Sequence, residues 1–385
     1  MKYFLIAGEA SGDLHGANLM RELKKADEKA QFCFLGGDLM AAEGGKPVIH
    51  YRQMAFMGIT AVILHLRTVL GNMKRCRSAL QQFAPNALIL IDYPSFNLRM
   101  AKFAKKRLHI PVFYYISPKL WAWKEYRIKD IKACIDHLFA IFPFEVDFYH
   151  KHNYQAVTYV GNPTLDAVDE RPERDESKSA FCRRNALTGK PLVALLSGSR
   201  YKEIEHNLPY MVKASKQFPD FQFVVAGAPG ISPDYYDRFL SDSDVKVVFG
   251  QTYALLQHAS AALVTSGTAT LETALLNVPQ TVVYKANPGW LIVWIYNVWI
   301  RIPYFSLVNI IAGRDIVVEL LGNQVTTDHL TNELNRMLYD DNYRQTMLTG
   351  YAQVHQQLGK TGASAQAAQG IIEQIAAQPE GHNLQ

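Results

Sequence analysis

The sequence predicts an α/β protein made of two successive Rossmann-like units, each a parallel sheet covered by helices on both faces. Short apolar runs alternate with segments of helical period, the alternation lapses near residue 161, and it restarts near residue 191. A chain of 385 residues exceeds one ordinary core, which also favours two domains. With 49% hydrophobic and 19% charged residues the composition is that of a globular protein, and disordered, collagen-like and coiled-coil chains are excluded.

Tyr3–Ala7 is an apolar run stopped by Gly8, and Leu14–Lys25 then carries apolar residues at 14, 17, 19, 20 and 23, one helical face. Further strands are expected at Gln31–Leu35, Ala87–Ile91, Pro111–Ile116 and His137–Ile141, with helices at Arg67–Phe83 and Asn97–Arg107. Gly161-Asn162-Pro163 and the charged run Asp169–Lys178 lack an apolar face, so residues 161–190 read as a connection. The rhythm resumes with strands at Pro191–Leu196, Phe221–Ala226, Val245–Phe249, Ala261–Thr265 and Gln280–Tyr284. The expected division is a first domain over 1–165, a second over 185–330, and a helical tail over 331–385 packing back toward the first. Two such domains are expected to face a cleft.

Charge is unevenly placed. Residues 1–150 hold 21 Lys and Arg against 13 Asp and Glu, whereas the remainder holds 19 against 22. Between Lys46 and Lys124 there are 13 basic residues and one acid, Asp92. A basic half suits phosphates, nucleic acid or acidic lipid headgroups. The four cysteines form no CxxC pair, so neither a zinc ribbon nor a disulfide framework is indicated. Met1-Lys2-Tyr3 runs directly into a strand without a leader pattern, which predicts a cytoplasmic protein. The apolar run Trp290–Ile300 is shorter than the roughly 20 residues a bilayer span needs.

Ligands of open α/β sheets bind beyond the carboxyl ends of the strands. After the first strand comes Gly8-Glu9-Ala10-Ser11-Gly12-Asp13, where glycines allow close approach of a ligand and Ser11 or Asp13 can cap the next helix. A plain turn with an N-cap explains these residues equally well. Neither a GxGxxG fingerprint nor a P-loop is present. Asp92 ends a strand as the lone acid of its basic stretch, placed to take a proton from a substrate hydroxyl, with its pKa expected to be lowered by nearby cations. Ser197-Gly198-Ser199-Arg200, with Glu203 and Glu205 shortly after, offers backbone N–H groups and a forked cation to a diphosphate, the alternative being a capped helix with a solvated Arg. Ser266–Glu272 is a second phosphate-compatible helix start, with Glu272 positioned for ribose hydroxyls, although an ordinary cap followed by a surface Glu explains it equally well.

Other candidates read as structural. Asp242-x-Asp244 lies in a Ser/Asp-rich turn, His150 and His152 lack the rest of a metal set, and Lys102–Arg107 and Lys124–Lys132 read as solvated helix faces. Two apolar stretches, Phe56–Leu70 and Trp290–Ile300, each read first as ordinary core packing, and it is only beside the basic half that they suit interfacial membrane contact. In the first, Val62, Leu64, Leu66, Val69 and Leu70 are the candidate contact residues.

Ala7–Asp13, Met57-Gly58, Ile91-Asp92-x-Pro94, Phe96-Asn97, Ser117-Pro118-x-x-Trp121-Ala122-Trp123, Gly198-Ser199-Arg200, Ser266–Glu272, Asn309 and Ala312-Gly313-Arg314 together resemble the lipid-A-disaccharide synthase family, in order from residue 3 to about residue 321. The resemblance implies a GT-B-type inverting glycosyltransferase. It would transfer 2,3-diacylglucosamine from UDP to the 6-hydroxyl of 2,3-diacylglucosamine 1-phosphate, giving a β-1,6 disaccharide and UDP. It implies that Asp92 is the essential aspartate and that Arg200 is the donor-diphosphate arginine; Asp92 is the expected base with Glu9 as the alternative, and a ribose or acceptor contact explains Glu9 equally well. Ser199, Thr268, Glu272 and Asn309 then fall in nucleotide-binding segments, while Gly8, Ser11 and Gly12 form the acceptor-side loop. No metal or other cofactor is expected. The enzyme would sit peripherally on the inner membrane, with a homo-oligomer allowed and nucleic acid not expected. The alternatives are another UDP-sugar enzyme of the same form, such as an epimerase or a soluble-acceptor glycosyltransferase, and a non-catalytic polyanion or phospholipid binder.

Overall fold

The structure, a computed structural model, describes residues 1–54, 66–122, 125–285 and 304–377. It divides into two compact units, one of Met1–Pro163 with Lys360–Gln385 and one of Thr164–Gly359.

The first unit holds a seven-stranded parallel sheet of β1 (Lys2–Ala7), β2 (Gln31–Gly36), β3 (Lys46–His50), β4 (Ala87–Ile91), β5 (Val112–Tyr115), β6 (His137–Ala140) and β7 (Val157–Tyr159), in the order β3-β2-β1-β4-β5-β6-β7. Every residue of β4 is buried, because helices cover both faces and leave no solvent side to alternate against. One face packs Phe4, Ile6, Leu88 and Leu90 on Met73, Cys76 and Leu80 of the helix Leu66–Phe83. The other packs Leu5, Ile89 and Phe113 on Leu19, Met20 and Leu23 of the helix Ala10–Ala26. The C-terminal helix Ala363–Ala376 completes that second face with Ala367, Ala368 and Ile371, and Tyr115 and Ser364 share a hydrogen bond of 3.3 Å. Gly370 is required there, since a Cβ would stand 2.6 Å from the Phe139 ring.

The second unit holds a six-stranded parallel sheet of β8 (Leu192–Leu196), β9 (Gln222–Gly227), β10 (Lys246–Phe249), β11 (Ala259–Thr265), β12 (Gln280–Tyr284) and β13 (Glu319–Leu321), in the order β10-β9-β8-β11-β12-β13. Both sheets therefore reverse direction of growth once, between β1 and β4 and between β8 and β11. In such sheets the crevice at the reversal is where ligands bind.

Three local differences from expectation stand out. Residues 161–190 are not a bare connection, since they carry the helices Pro163–Asp169 and Lys178–Arg184. The helix expected from Leu14 starts at Ala10. The helices Thr327–Tyr339 and Asp341–Leu358 group with the second unit, and the return to the first falls at 359/360 rather than at 331.

Candidate active site

In the first unit the β1/β4 reversal gathers Gly8, Glu9 and Asp92. Gly8 is buried under Tyr93, and a Cβ there would lie 2.2 Å from the ring. Glu9 occupies the N-cap position of the helix Ala10–Ala26 in extended conformation without a side-chain capping bond, which leaves its carboxylate uncommitted to the helix. Asp92 and Tyr93 both adopt left-handed backbone, φ 43° and 48°, a conformation that Asp tolerates better than most residues. The turn is clamped through its backbone: Asn97 Nδ2 and the Tyr114 hydroxyl donate to the Asp92 carbonyl at 2.7 and 2.6 Å, and the Asp92 N–H donates to the Ile116 carbonyl. The Tyr93 hydroxyl donates to the Met54 carbonyl at 2.9 Å. None of these bonds uses the Asp92 carboxylate.

The electrostatics of Asp92 differ from the sequence expectation. Its carboxyl is pushed above the ordinary range, first by burial and then by the neighbouring Glu9 carboxylate, while Lys119 and the Tyr93 N–H oppose the shift. Local cations do not dominate, because the turn is desolvated and an acid faces it. A raised pKa makes Asp92 a stronger base than the sequence implied.

Ser11 is exposed, and Gly12 is buried against Ala7, where a Cβ would sit 3.2 Å from the alanine methyl. Asp13 does not cap its own helix. It is buried, and its carboxylate accepts the N–H groups of Gly37 at 2.7 Å and of Leu39 and Met40 at 3.1 Å, holding the start of the helix Asp38–Ala42.

In the second unit the β8/β11 reversal opens into a pocket of about 220 Å³. Gly198, Ser199, Glu203, Gly267, Thr268 and Glu272 are among the residues lining it. Gly198 has φ 117°. The loop is closed on itself by Glu203, whose carboxylate accepts the Ser199 N–H at 2.9 Å and pairs with the exposed Arg200 at 3.0 Å. That carboxylate rests where the sequence reading put a diphosphate. Burial pushes the Glu272 carboxyl up, and the Tyr253 hydroxyl donates to it at 3.1 Å. Asn309 does not line the pocket. It is fully buried, donates to the Val317 carbonyl and Glu319 and accepts the N–H groups of Ile316 and Val317, so it fixes the loop after the helix Leu307–Ala312.

Of the membrane candidates, Val62 and Leu64 lie outside the described residues, as does Trp290–Ile300. Leu66 begins the helix Leu66–Phe83, Val69 is half-buried, and Leu70 is 53% exposed. Lys102, Lys106 and Arg107, expected as a solvated face, join Arg77 and Arg99 around Phe103 in an open groove of about 300 Å³.

Residues 3–371 match the lipid-A-disaccharide synthetase family. The chain belongs to that family. A lipid-A-disaccharide synthase of Myxococcus xanthus is 36% identical over 379 residues, covering 97% of each chain, and one of Coxiella burnetii is 36% identical over 372 residues, covering 95% of this chain and 96% of the other. Membership places the chain among the glycosyltransferases of lipid A biosynthesis. Among solved structures, a UDP-GlcNAc 2-epimerase from Neisseria meningitidis superposes with a TM-score of 0.67 at 14% identity, over 98% of this chain and 100% of that one. The glycotransferase of kitacinnamycin gives 0.64 at 14% identity, over 97% and 99%. These likenesses show a GT-B-like fold for this chain and nothing about its chemistry.

Glu203 is visible in the sequence just after Arg200, but not its closure of the loop, and Tyr253, Lys119 and Glu145 are missed as neighbours of these loops. Glu145 left a signal, since Pro143 followed by Glu145 at the third helical position is a helix-start pattern.

Proposed function

We propose that this synthase transfers 2,3-diacylglucosamine from UDP to the 6-hydroxyl of 2,3-diacylglucosamine 1-phosphate. The carrying observation is the placement of Asp92, with a raised pKa beside Glu9, at the β1/β4 reversal of a chain matched to the family from residue 3 to 371. Asp92 takes the proton of the acceptor hydroxyl as that oxygen attacks the anomeric carbon. The bond to the UDP oxygen breaks, and the configuration inverts in one displacement.

The second unit binds the nucleotide. The pocket with Ser199, Thr268 and Glu272 takes the uridine and ribose side, and the N–H groups of the two helix starts together with Arg200 take the diphosphate, displacing Glu203. Charge on the departing UDP is thereby met by the protein without a metal ion. Gly8, Ser11 and Gly12 border the acceptor side, and Asn309 acts by holding its loop.

The enzyme works on the inner-membrane surface as a peripheral protein. Among the described residues no helix is long and apolar enough to cross a membrane. Exposed Leu70, with the cationic groove around Phe103, supports contact with an anionic surface.

The deciding experiment supplies UDP-2,3-diacylglucosamine and the acceptor 1-phosphate together and follows products by mass spectrometry. Disaccharide 1-phosphate and UDP should appear one for one. No disaccharide, with either inert substrates or epimerised UDP-sugar, would overturn the reading.

A further inference from the structure

We infer that Glu145 is a positioning residue for the transfer reaction, holding the Ser117–Trp121 loop against the strand end that carries Asp92. The inference rests on the reading of Asp92 as base.

Glu145 is 1% exposed, near the start of the helix Pro143–Lys151. One carboxylate oxygen accepts the Ser117 hydroxyl at 3.0 Å and the Trp121 indole N–H at 3.1 Å. The other accepts the backbone N–H groups of Ile141 at 3.2 Å and Phe142 at 3.1 Å. The Tyr149 hydroxyl bonds the Ser117 hydroxyl at 3.0 Å from the far side. A single carboxylate therefore ties both ends of the 117–121 loop to the β6 end. Burying such a group is costly unless its oxygens are satisfied; here two donors come from the loop and two from the β6 end, so the carboxylate joins the one to the other.

The loop leads to Asp92 by two routes. Ser117 directly follows Ile116, a β-branched residue held at φ 63°, a rare backbone state that surrounding structure must enforce. The Ile116 carbonyl accepts the Asp92 N–H, and Tyr114, on the strand β5 just before it, donates to the Asp92 carbonyl. Between the tied ends stands exposed Lys119, whose positive charge favours the ionised form of Asp92 against burial and Glu9. Releasing the loop loosens the clamp and removes that cation together. Burial pushes the Glu145 carboxyl up to about 7, against the four donors, which favour its ionised form.

The test uses the full chain with Glu145→Gln, which keeps the side chain's size but turns one acceptor edge into a donor facing N–H or O–H groups. Disaccharide formation should show kcat at least about tenfold lower and KM for both substrates within about threefold of wild type. The acidic limb of the pH–rate profile should move to higher pH, as loss of Lys119 raises the Asp92 pKa. Hydrogen exchange should quicken in peptides spanning 116–122 while the rest of the first unit is unchanged. Trp121→Phe removes one donor and keeps an aromatic ring against Phe144, so it should move kcat and the limb in the same direction by less, and it carries the test should Glu145→Gln fail to fold. Wild-type kcat and pH profile in these variants, or a loss carried by KM or by exchange throughout the unit, overturns the inference. Asp92→Asn run beside them separates the two readings. If it is inactive while Glu145→Gln is normal, only the Glu145 role falls; if it stays active, the base assignment falls and takes this role with it.

Discussion

Replacing Asp92 with Asn removes a base but leaves the turn held, because Asn97 and Tyr114 donate to the residue's carbonyl, its N–H donates to Ile116, and the amide oxygen can still accept the Tyr93 N–H. Loss of general-base help should lower turnover by at least about 10²-fold, equivalent to about 2.7 kcal/mol of barrier. UDP affinity should not change. The sign of the stability effect follows from the pKa. Burial and Glu9 hold the folded-state pKa of Asp92 above its unfolded value, so the fold favours the protonated acid. Wild type therefore loses stability as pH rises from the unfolded to the raised folded pKa, and Asp92→Asn does not. At neutral pH the variant should melt no lower than wild type, and any advantage should vanish at pH values below both pKa values. Asp92→Ala should match Asn in turnover but be less stable by about 1 kcal/mol, since alanine lacks the tolerance of Asn for left-handed backbone. The assay is steady-state disaccharide formation by mass spectrometry, paired with calorimetric melts across pH. Near-normal turnover in Asp92→Asn would refute the base assignment, and a melting loss at neutral pH would refute the electrostatic account.

Arg200→Ala should weaken UDP binding by roughly 10-fold or more, the loss of one charge-assisted contact to phosphate; unchanged affinity in titration calorimetry would reject the role. Asp13→Ala should destabilise the first unit by about 3 kcal/mol or more, because it strands the N–H groups of Gly37, Leu39 and Met40, while Asp13→Asn should recover part of the loss through the oxygen that serves Gly37 and Met40. Chemical denaturation checks both. Leu70→Glu combined with Arg77→Glu should reduce flotation with phosphatidylglycerol vesicles and leave the far-UV circular dichroism unchanged, and undiminished flotation would remove this face as the contact.

The central strands were legible almost to the residue. Ala87–Ile91 and Leu192–Leu196 are read from apolarity alone, because a parallel strand enclosed by helices has no solvent face to interrupt the run. β3, β7 and β13 were not. They are short edge strands of three to five residues, and β3 begins with the exposed pair Lys46-Pro47. The loops after β1, β4, β8 and β11 were found because topology alone makes strand ends the place for chemistry. What the side chains do there depended on tertiary contacts. Asp13 sits where an N-cap is expected, yet its partners are 24 to 27 residues away. The direction of the Asp92 shift turns on burial and on Glu9, which a count of nearby Lys and Arg does not contain. Asn309 lies in a nucleotide-binding segment by resemblance, but its amide is consumed by backbone groups and by the Glu319 carboxylate, which only the folded loop brings within reach.

The chain leaves the first unit at Pro163 and rejoins it at Lys360, with the whole second unit in between. During synthesis the second unit is contiguous and can close as soon as its own residues emerge from the ribosome. The first, although made earlier, has a bare apolar flank until Ala367, Ala368 and Ile371 arrive to cover it. The nascent half that bears Asp92 thus spends most of translation with unsealed greasy surface, a period when chaperones have something to hold and a prematurely terminated product has no means of finishing its fold.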